Sequence, residues 1–170
     1  MPFITLLRRA VHTWALFGGV LLLGIVIVTA VNAAGFAANM IARAFGGHVS
    51  GVPGYEDAVT MLVGVAALSM FPYCQWRGGH AAVDVVMQLA PGWANRAVCT
   101  LTSILMVVVA VVMAVMLTQG AIEMRQDSVE TPVLGWPVWV FVPTAVISCT
   151  LWAFVAAVQV FVGPETGDGP

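Results

Sequence analysis

The sequence predicts an all-α integral membrane protein, with four transmembrane helices in a bundle and one short interfacial amphipathic helix between the second and third spans. The chain has 170 residues, is 61% hydrophobic and 8% charged, and has a mean hydropathy of +0.98. A soluble domain carries about 25% charged residues. Four stretches also lack Asp, Glu, Lys and Arg: residues 10–42, 58–76, 97–122 and 131–164. Since a spanning helix needs about 20 apolar residues, each stretch can cross a bilayer once, and we treat residues 1–170 as a single membrane domain.

The first span is predicted at residues 11–43. Arg8 and Arg9 precede it, as basic residues precede the core of a signal peptide. Its apolar segment is longer than the roughly 7–15 residues of a signal core, so we expect the span to be retained. At 1.5 Å per residue the helix would measure roughly 50 Å. Because a bilayer core is only about 30 Å thick, the helix should tilt or project beyond it.

The second span, residues 56–76, follows a loop that is rich in glycine. It opens with Glu56 and Asp57, and carboxylates are favoured in a first turn by the helix dipole. Two interpretations remain open for this pair. The residues are either ordinary first-turn acids or a candidate periplasmic docking patch for a partner.

A charged stretch follows the second span and brings Arg77, His80 and Asp84 together. Such charges are costly inside lipid, so the stretch should lie at a membrane surface. One interpretation is contact with lipid headgroups, because long basic side chains often extend to the interface. The other is that Arg77 or His80 pairs with Asp84 and fixes the end of the span to a short interfacial helix at residues 80–90.

The third and fourth spans are predicted at residues 97–122 and 136–162, with a disordered tail at 163–170. Hydroxyl and amide side chains within the spans are expected to make helix-packing hydrogen bonds. Small residues let membrane helices approach closely. In the fourth span they recur at every fourth position: Ala145, Cys149, Ala153 and Ala157.

No residue pattern in the chain points to catalysis, substrate binding, a metal or a cofactor. Ion and substrate pathways place ionisable residues within spans, whereas all six arginines and all eight acidic residues here lie at span ends, in loops or in the tail. Cys74, Cys99 and Cys149 are too far apart in sequence for a metal-binding motif, and they indicate no disulfide. The three histidines do not form a facing pair of haem ligands. The net charge of −2 gives no reason to expect a nucleic-acid partner.

Arginine placement predicts the orientation of the chain, since cytoplasmic loops carry an excess of basic residues. Four spans place both termini on the same side. That side carries Arg8, Arg9, Arg77 and Arg96. The opposite side carries two arginines and five acids: Arg43, Arg125, Glu56, Asp57, Glu123, Asp127 and Glu130. Both termini are therefore expected in the cytoplasm.

Several segments, in this order and spacing, resemble the small membrane subunit of tripartite ATP-independent periplasmic (TRAP) transporters, the DctQ-type small permease. They are residues 32–45, Tyr55-Glu56, the run from Arg77 to Asp84, and Trp136-Pro137 with Pro143. The resemblance implies a bacterial inner-membrane location and a large many-span permease partner that carries the substrate and sodium sites. It also implies a periplasmic binding protein that delivers the substrate, often an organic acid. The small subunit would brace the large one and help to dock the binding protein.

Two other functions remain open from the residues alone. The chain could be a membrane anchor or assembly subunit of a redox complex, or a small transporter that acts without partners. A haem absorption band would favour the first, and substrate uptake by the chain alone would favour the second.

Overall fold

The computed structural model describes residues 2–48, 51–78 and 92–162 of the chain. The predicted interfacial helix at residues 80–90 lies outside the described residues, together with His80, Asp84 and the tail at 163–170. These predictions therefore stay predictions.

Within these described ranges, four helices are long and apolar enough to cross a membrane, which confirms the predicted all-α, four-span fold class. They are α1 (Pro2–Ala44), α2 (Tyr55–Trp76), α3 (Gly92–Gln126) and α4 (Val142–Val162). A single 3-10 turn, Val138–Val140, precedes α4. No β-strand occurs within the described ranges, although Glu130 and Pro137 form an isolated antiparallel bridge.

Helices α1 and α3 extend beyond the predicted spans, whereas α4 begins at Val142 rather than at residue 136, after the 3-10 turn. α1 begins at Pro2 rather than at residue 11, and α3 runs from Gly92 to Gln126 rather than over residues 97–122. Charged residues mark where an apolar segment leaves lipid, but a helix can continue past that point because its hydrogen bonds are internal. As a result Glu123 and Arg125, expected in a loop, lie on the last turns of α3.

The helices pack as two sequential hairpins. α1 packs on α2, α3 packs on α4, and the hairpins join where α2 packs on α4. A hydrophobic core cluster lies at the end of the bundle that contains the start of α1 and the end of α2. It is formed by Leu7, Val11, Trp76 and Val155.

Gly18 lies at the closest approach of α1 and α2. A Cβ atom placed on it would lie 2.9 Å from the Cβ of Ser69 and 3.0 Å from the carbonyl oxygen of Ala66. Both distances are shorter than ordinary van der Waals contact, so only glycine allows the two helices this separation.

The last part of α1 projects past the start of α2. Asn32, which is 3% exposed, accepts a hydrogen bond at its Oδ1 from the Val52 amide at 3.0 Å. The loop before α2 therefore folds back onto α1 at Asn32, although α1 continues to Ala44. At 1.5 Å per residue, the projecting segment is about 18 Å long.

Candidate functional site: two buried polar clusters and a tethered loop

The first polar cluster joins α1, α2 and α4 in the middle of the bundle. The indole Nε1 of Trp14 donates to the Oγ of Ser148 at 2.9 Å, and the Ser148 hydroxyl lies 3.4 Å from that of Ser69. Each serine hydroxyl also approaches a backbone carbonyl one turn earlier, Thr144 for Ser148 and Val65 for Ser69. Both serines are fully buried. The hydroxyls therefore satisfy their hydrogen-bonding needs within the bundle.

The second cluster joins the end of α2 to α4 through two buried glutamines. Nε2 of Gln75 donates to Oε1 of Gln159 at 2.7 Å, and Nε2 of Gln159 donates to the backbone carbonyl oxygens of Gln75 at 2.8 Å and Trp76 at 3.3 Å. Trp152 Nε1 donates to Oε1 of Gln75 at 3.2 Å. Gln159 therefore also caps the last turn of α2, whose carbonyls have no partner within the helix.

In these two clusters, polar side chains within the spans join helices as expected, whereas Thr118 and Thr150 are exposed and donate to a carbonyl of their own helix. In the described part of the chain, every buried side-chain nitrogen or oxygen has a hydrogen-bond partner. No group of three or more His, Cys, Asp or Glu residues that could hold a metal occurs among the described residues either. The arrangement is chemically suited to holding helices together.

Asp57 tethers the connection between α3 and α4 to the start of α2. Its Oδ2 accepts hydrogen bonds from the backbone amides of Val133 at 2.8 Å and Leu134 at 2.9 Å. The loop itself is closed by Thr131, whose backbone amide donates to the Trp136 carbonyl and whose hydroxyl accepts from the Trp136 amide. The Asp57 carboxylate, 8% exposed, is thus engaged within the chain.

The two members of the predicted docking patch therefore differ. Asp57 is buried against the loop, whereas Glu56 is exposed and its side chain forms a hydrogen bond with Tyr55. Three other exposed acids lie at the same end of the bundle, on the last turns of α3 and the loop after it: Glu123, Asp127 and Glu130. Arg125, also at this end, lies over the Trp139 ring, with its Cζ 5.0 Å from the ring centroid. The exposed surface of this end is mainly acidic.

Arg77 ends α2 and is exposed, with its backbone amide donating to the Tyr73 carbonyl at 3.1 Å. The residues proposed to act with it, His80 and Asp84, lie outside the described part. Their role as a subunit-interface or structural motif stays a prediction.

The small-residue stripe lies on α4, the helix that packs against both α2 and α3. Ala145 and Cys149 are buried, and Ala153 and Ala157 are half-buried. Small side chains on a helix with two neighbours fit the expected close packing.

Comparison with known families gives one match. The family is described as "Tripartite ATP-independent periplasmic transporters, DctQ component", and the match covers residues 33–163. It begins within α1, includes α2, α3 and the loop tethered by Asp57, and continues to the end of α4. No curated protein and no solved structure matches the chain. The matched segment is more than half of the sequence, and its four apolar helices fit a multi-pass membrane component. The chain therefore belongs to the DctQ family and is a small permease subunit of a TRAP transporter.

Proposed function

We propose that this chain acts as a scaffold in the bacterial inner membrane. It braces the large, many-span permease that carries the substrate and sodium sites during sodium-coupled uptake of an organic acid. Its outer end helps to dock the periplasmic binding protein. The observation that best supports the scaffold role is a difference in burial. A larger share of residues is buried in α2 and α4 than in the outer helices α1 and α3.

The outer helices α1 and α3 leave most of their apolar surface uncovered by this chain. In the most apolar 18-residue segment of each, 6% of residues are buried in α1 and 11% in α3, compared with 22% in α2 and 33% in α4. Exposed side chains run along nearly the full length of both helices: Leu16, Val20, Leu23 and Ile27 on α1, and Leu101, Leu105, Val108, Val112 and Met116 on α3. Such long faces provide ample area for a membrane partner.

The interior of the bundle supports a scaffold rather than a substrate pathway. Polar groups between α2 and α4 are bonded to one another at Ser69–Ser148 and Gln75–Gln159. A transport path needs polar or charged groups that are free to replace the hydration of a substrate. We therefore assign the substrate and sodium sites to the large permease.

The distribution of charge supports an orientation with both termini in the cytoplasm. Arg8, Arg9 and Arg77 lie at the end of the bundle where α1 starts and α2 ends. The exposed acids lie at the other end, as does the projecting segment of α1. An excess of arginine favours the cytoplasmic side, so in the proposed orientation the acidic surface faces the periplasm, where a binding protein would meet it.

The scaffold proposal is tested by reconstituting the chain in liposomes alone, with the large permease, and with both the permease and the binding protein. We expect sodium-driven uptake only with all three proteins. Uptake by this chain alone would overturn the proposal.

A photo-crosslinking amino acid tests which surface meets the permease. We expect cross-links to the large permease from exposed positions such as Ile27 on α1 or Leu105 on α3. The matched control is Val155, a buried core position, which should cross-link only within the chain. Lipid adducts alone from both outer helices would count against bracing by these faces.

The docking proposal is tested by Glu56→Lys in the complete transporter. Reversal of an exposed charge should slow uptake at limiting concentrations of the binding protein, with recovery at saturating concentrations, because charged surfaces mainly accelerate association. The effect should shrink as ionic strength rises. Unchanged uptake would leave Glu56 as an ordinary first-turn acid.

A further inference from the structure

A cationic cavity lies between the start of α1 and the end of α2. Its volume is about 380 Å³, and it is lined by Thr5, Arg8, Arg9, His12, Tyr73, Trp76 and Arg77. This volume falls within the range of about 300–1,000 Å³ that is typical of small-molecule sites. The cavity adjoins the second polar cluster, since Trp76 lines the cavity and its carbonyl oxygen accepts a hydrogen bond from Gln159, and it lies at the opposite end of the bundle from the acidic surface.

The charge in this cavity is not balanced by described neighbours. Arg8, Arg9 and Arg77 are all exposed, and none makes an ion pair within the described ranges. The acidic residues of those ranges all lie at the opposite end of the bundle. Even if Arg77 pairs with Asp84, as one interpretation of the sequence predicts, Arg8 and Arg9 still present two positive charges. The cavity therefore favours an anion.

Aromatic side chains place the cavity at the depth of the membrane interface. Tyr73 and Trp76 form one wall, and the rings of Tyr73 and His12 lie 5.8 Å apart between centroids. Tyrosine and tryptophan concentrate at the level of lipid headgroups.

The wall of the cavity continues into an apolar face. Leu16 and Val20 follow His12 at four-residue intervals on α1, which places them on the same side of the helix. Both are exposed, at 57% and 66%. A ligand with an anionic head and an apolar tail can therefore contact the arginines and this face together, whereas a free anion would use only the arginines.

We propose that this cavity binds the phosphate-containing headgroup of an anionic phospholipid, with Arg8 and Arg9 of α1 and Arg77 at the end of α2 as its cationic groups. The acyl chains lie along the face formed by Leu16 and Val20. Basic pockets between membrane helices on the cytoplasmic side suit anionic headgroups. The site holds the start of α1 against the end of α2. It uses Leu16 and Val20 of the exposed α1 face and leaves positions nearer the end of the helix, such as Ile27, for the permease.

The test is native mass spectrometry of the purified full-length chain, titrated with phosphatidylglycerol or with phosphatidylcholine of the same acyl chains. We expect a discrete bound phosphatidylglycerol at lipid concentrations where phosphatidylcholine is not retained. Inorganic phosphate at millimolar concentration should not displace it. Equal retention of both lipids would overturn the proposal. Displacement by inorganic phosphate would assign the cavity to a free anion and would also overturn it.

Substitutions of Arg8 and Arg9 test whether these two side chains bind the lipid headgroup. Arg8→Gln with Arg9→Gln should weaken phosphatidylglycerol binding about 25-fold, at about fivefold for each arginine near an anionic lipid. Lysine at both positions should retain most of the affinity, which separates loss of charge from misfolding. Arg43→Gln is the matched control, since Arg43 is an exposed arginine at the other end of α1. An equal loss in that control would show nonspecific attraction and contradict the proposed site.

Discussion

Replacing Gln159 by leucine removes the three hydrogen bonds that this side chain makes to the end of α2. Leucine is similar in volume, so little cavity is created, and the main change is the loss of polar contacts. Side-chain hydrogen bonds between membrane helices contribute about 0.6 kcal/mol each, so we expect a loss of about 2 kcal/mol in the free energy of unfolding. Equilibrium unfolding of the purified chain in mixed micelles with increasing SDS measures this quantity.

The matched control for this substitution is Gln119→Leu. Gln119 lies on α3 and is exposed, so its replacement should change stability by no more than about 0.5 kcal/mol. A double-mutant cycle with Gln75→Leu sharpens the test, because one hydrogen bond joins the Gln75 and Gln159 side chains, while the other uses the backbone carbonyl of Gln75 and is kept in that variant. The double variant should lose about 0.6 kcal/mol less than the two single losses combined. Wild-type stability in Gln159→Leu, with no coupling to Gln75, would refute the role of this cluster.

Three further predictions concern other contacts. Gly18→Leu should lower the free energy of unfolding by about 1–3 kcal/mol, because it overpacks the contact between α1 and α2. The control in the same unfolding assay is Gly24→Leu. It should have little effect, because no atom lies within 4 Å of a Cβ placed on Gly24. Asp57→Ala should speed hydrogen exchange at the Val133 and Leu134 amides, and unchanged exchange would mean that the tether is unimportant. Asp84→Ala should weaken co-purification with the large permease without changing substrate affinity, and normal co-purification would contradict an assembly role.

Composition and charge placement were sufficient to predict the four spans. Apolar stretches bounded by charges report where the chain leaves lipid, and α2 ends at Trp76 as predicted. The helices α1 and α3 extend beyond the predicted spans, because helical hydrogen bonding can continue after lipid contact stops. Glu123 and Arg125 show this directly, since both are charged and both are helical.

The partners of individual polar residues could not be predicted from the sequence. Gln75 and Gln159 are 84 positions apart, and their contact depends on the rotation and relative height of two helices. Asp57 has the usual signature of a first-turn acid, yet its carboxylate binds a loop that follows the third span. The glycine at position 135 indicates a turn in this loop, and the structure gives it a positive φ of 62°. The residue type does not indicate which side chain binds the turn.

The pairing of the helices has a consequence for biogenesis. α1 and α2 emerge from the ribosome in succession and can close on each other through Gly18 and Asn32 before the rest of the chain is made. α3 can make most of its helix contacts only after α4 has been inserted, because α4 is its principal neighbour. The last helix to be synthesised completes the α3–α4 hairpin and closes the hydrogen bonds to Ser69 and Gln75 in the same event. A nascent chain that stops before α4 thus lacks Gln159 and Trp152, the side chains that bond to the Gln75 amide in the complete bundle.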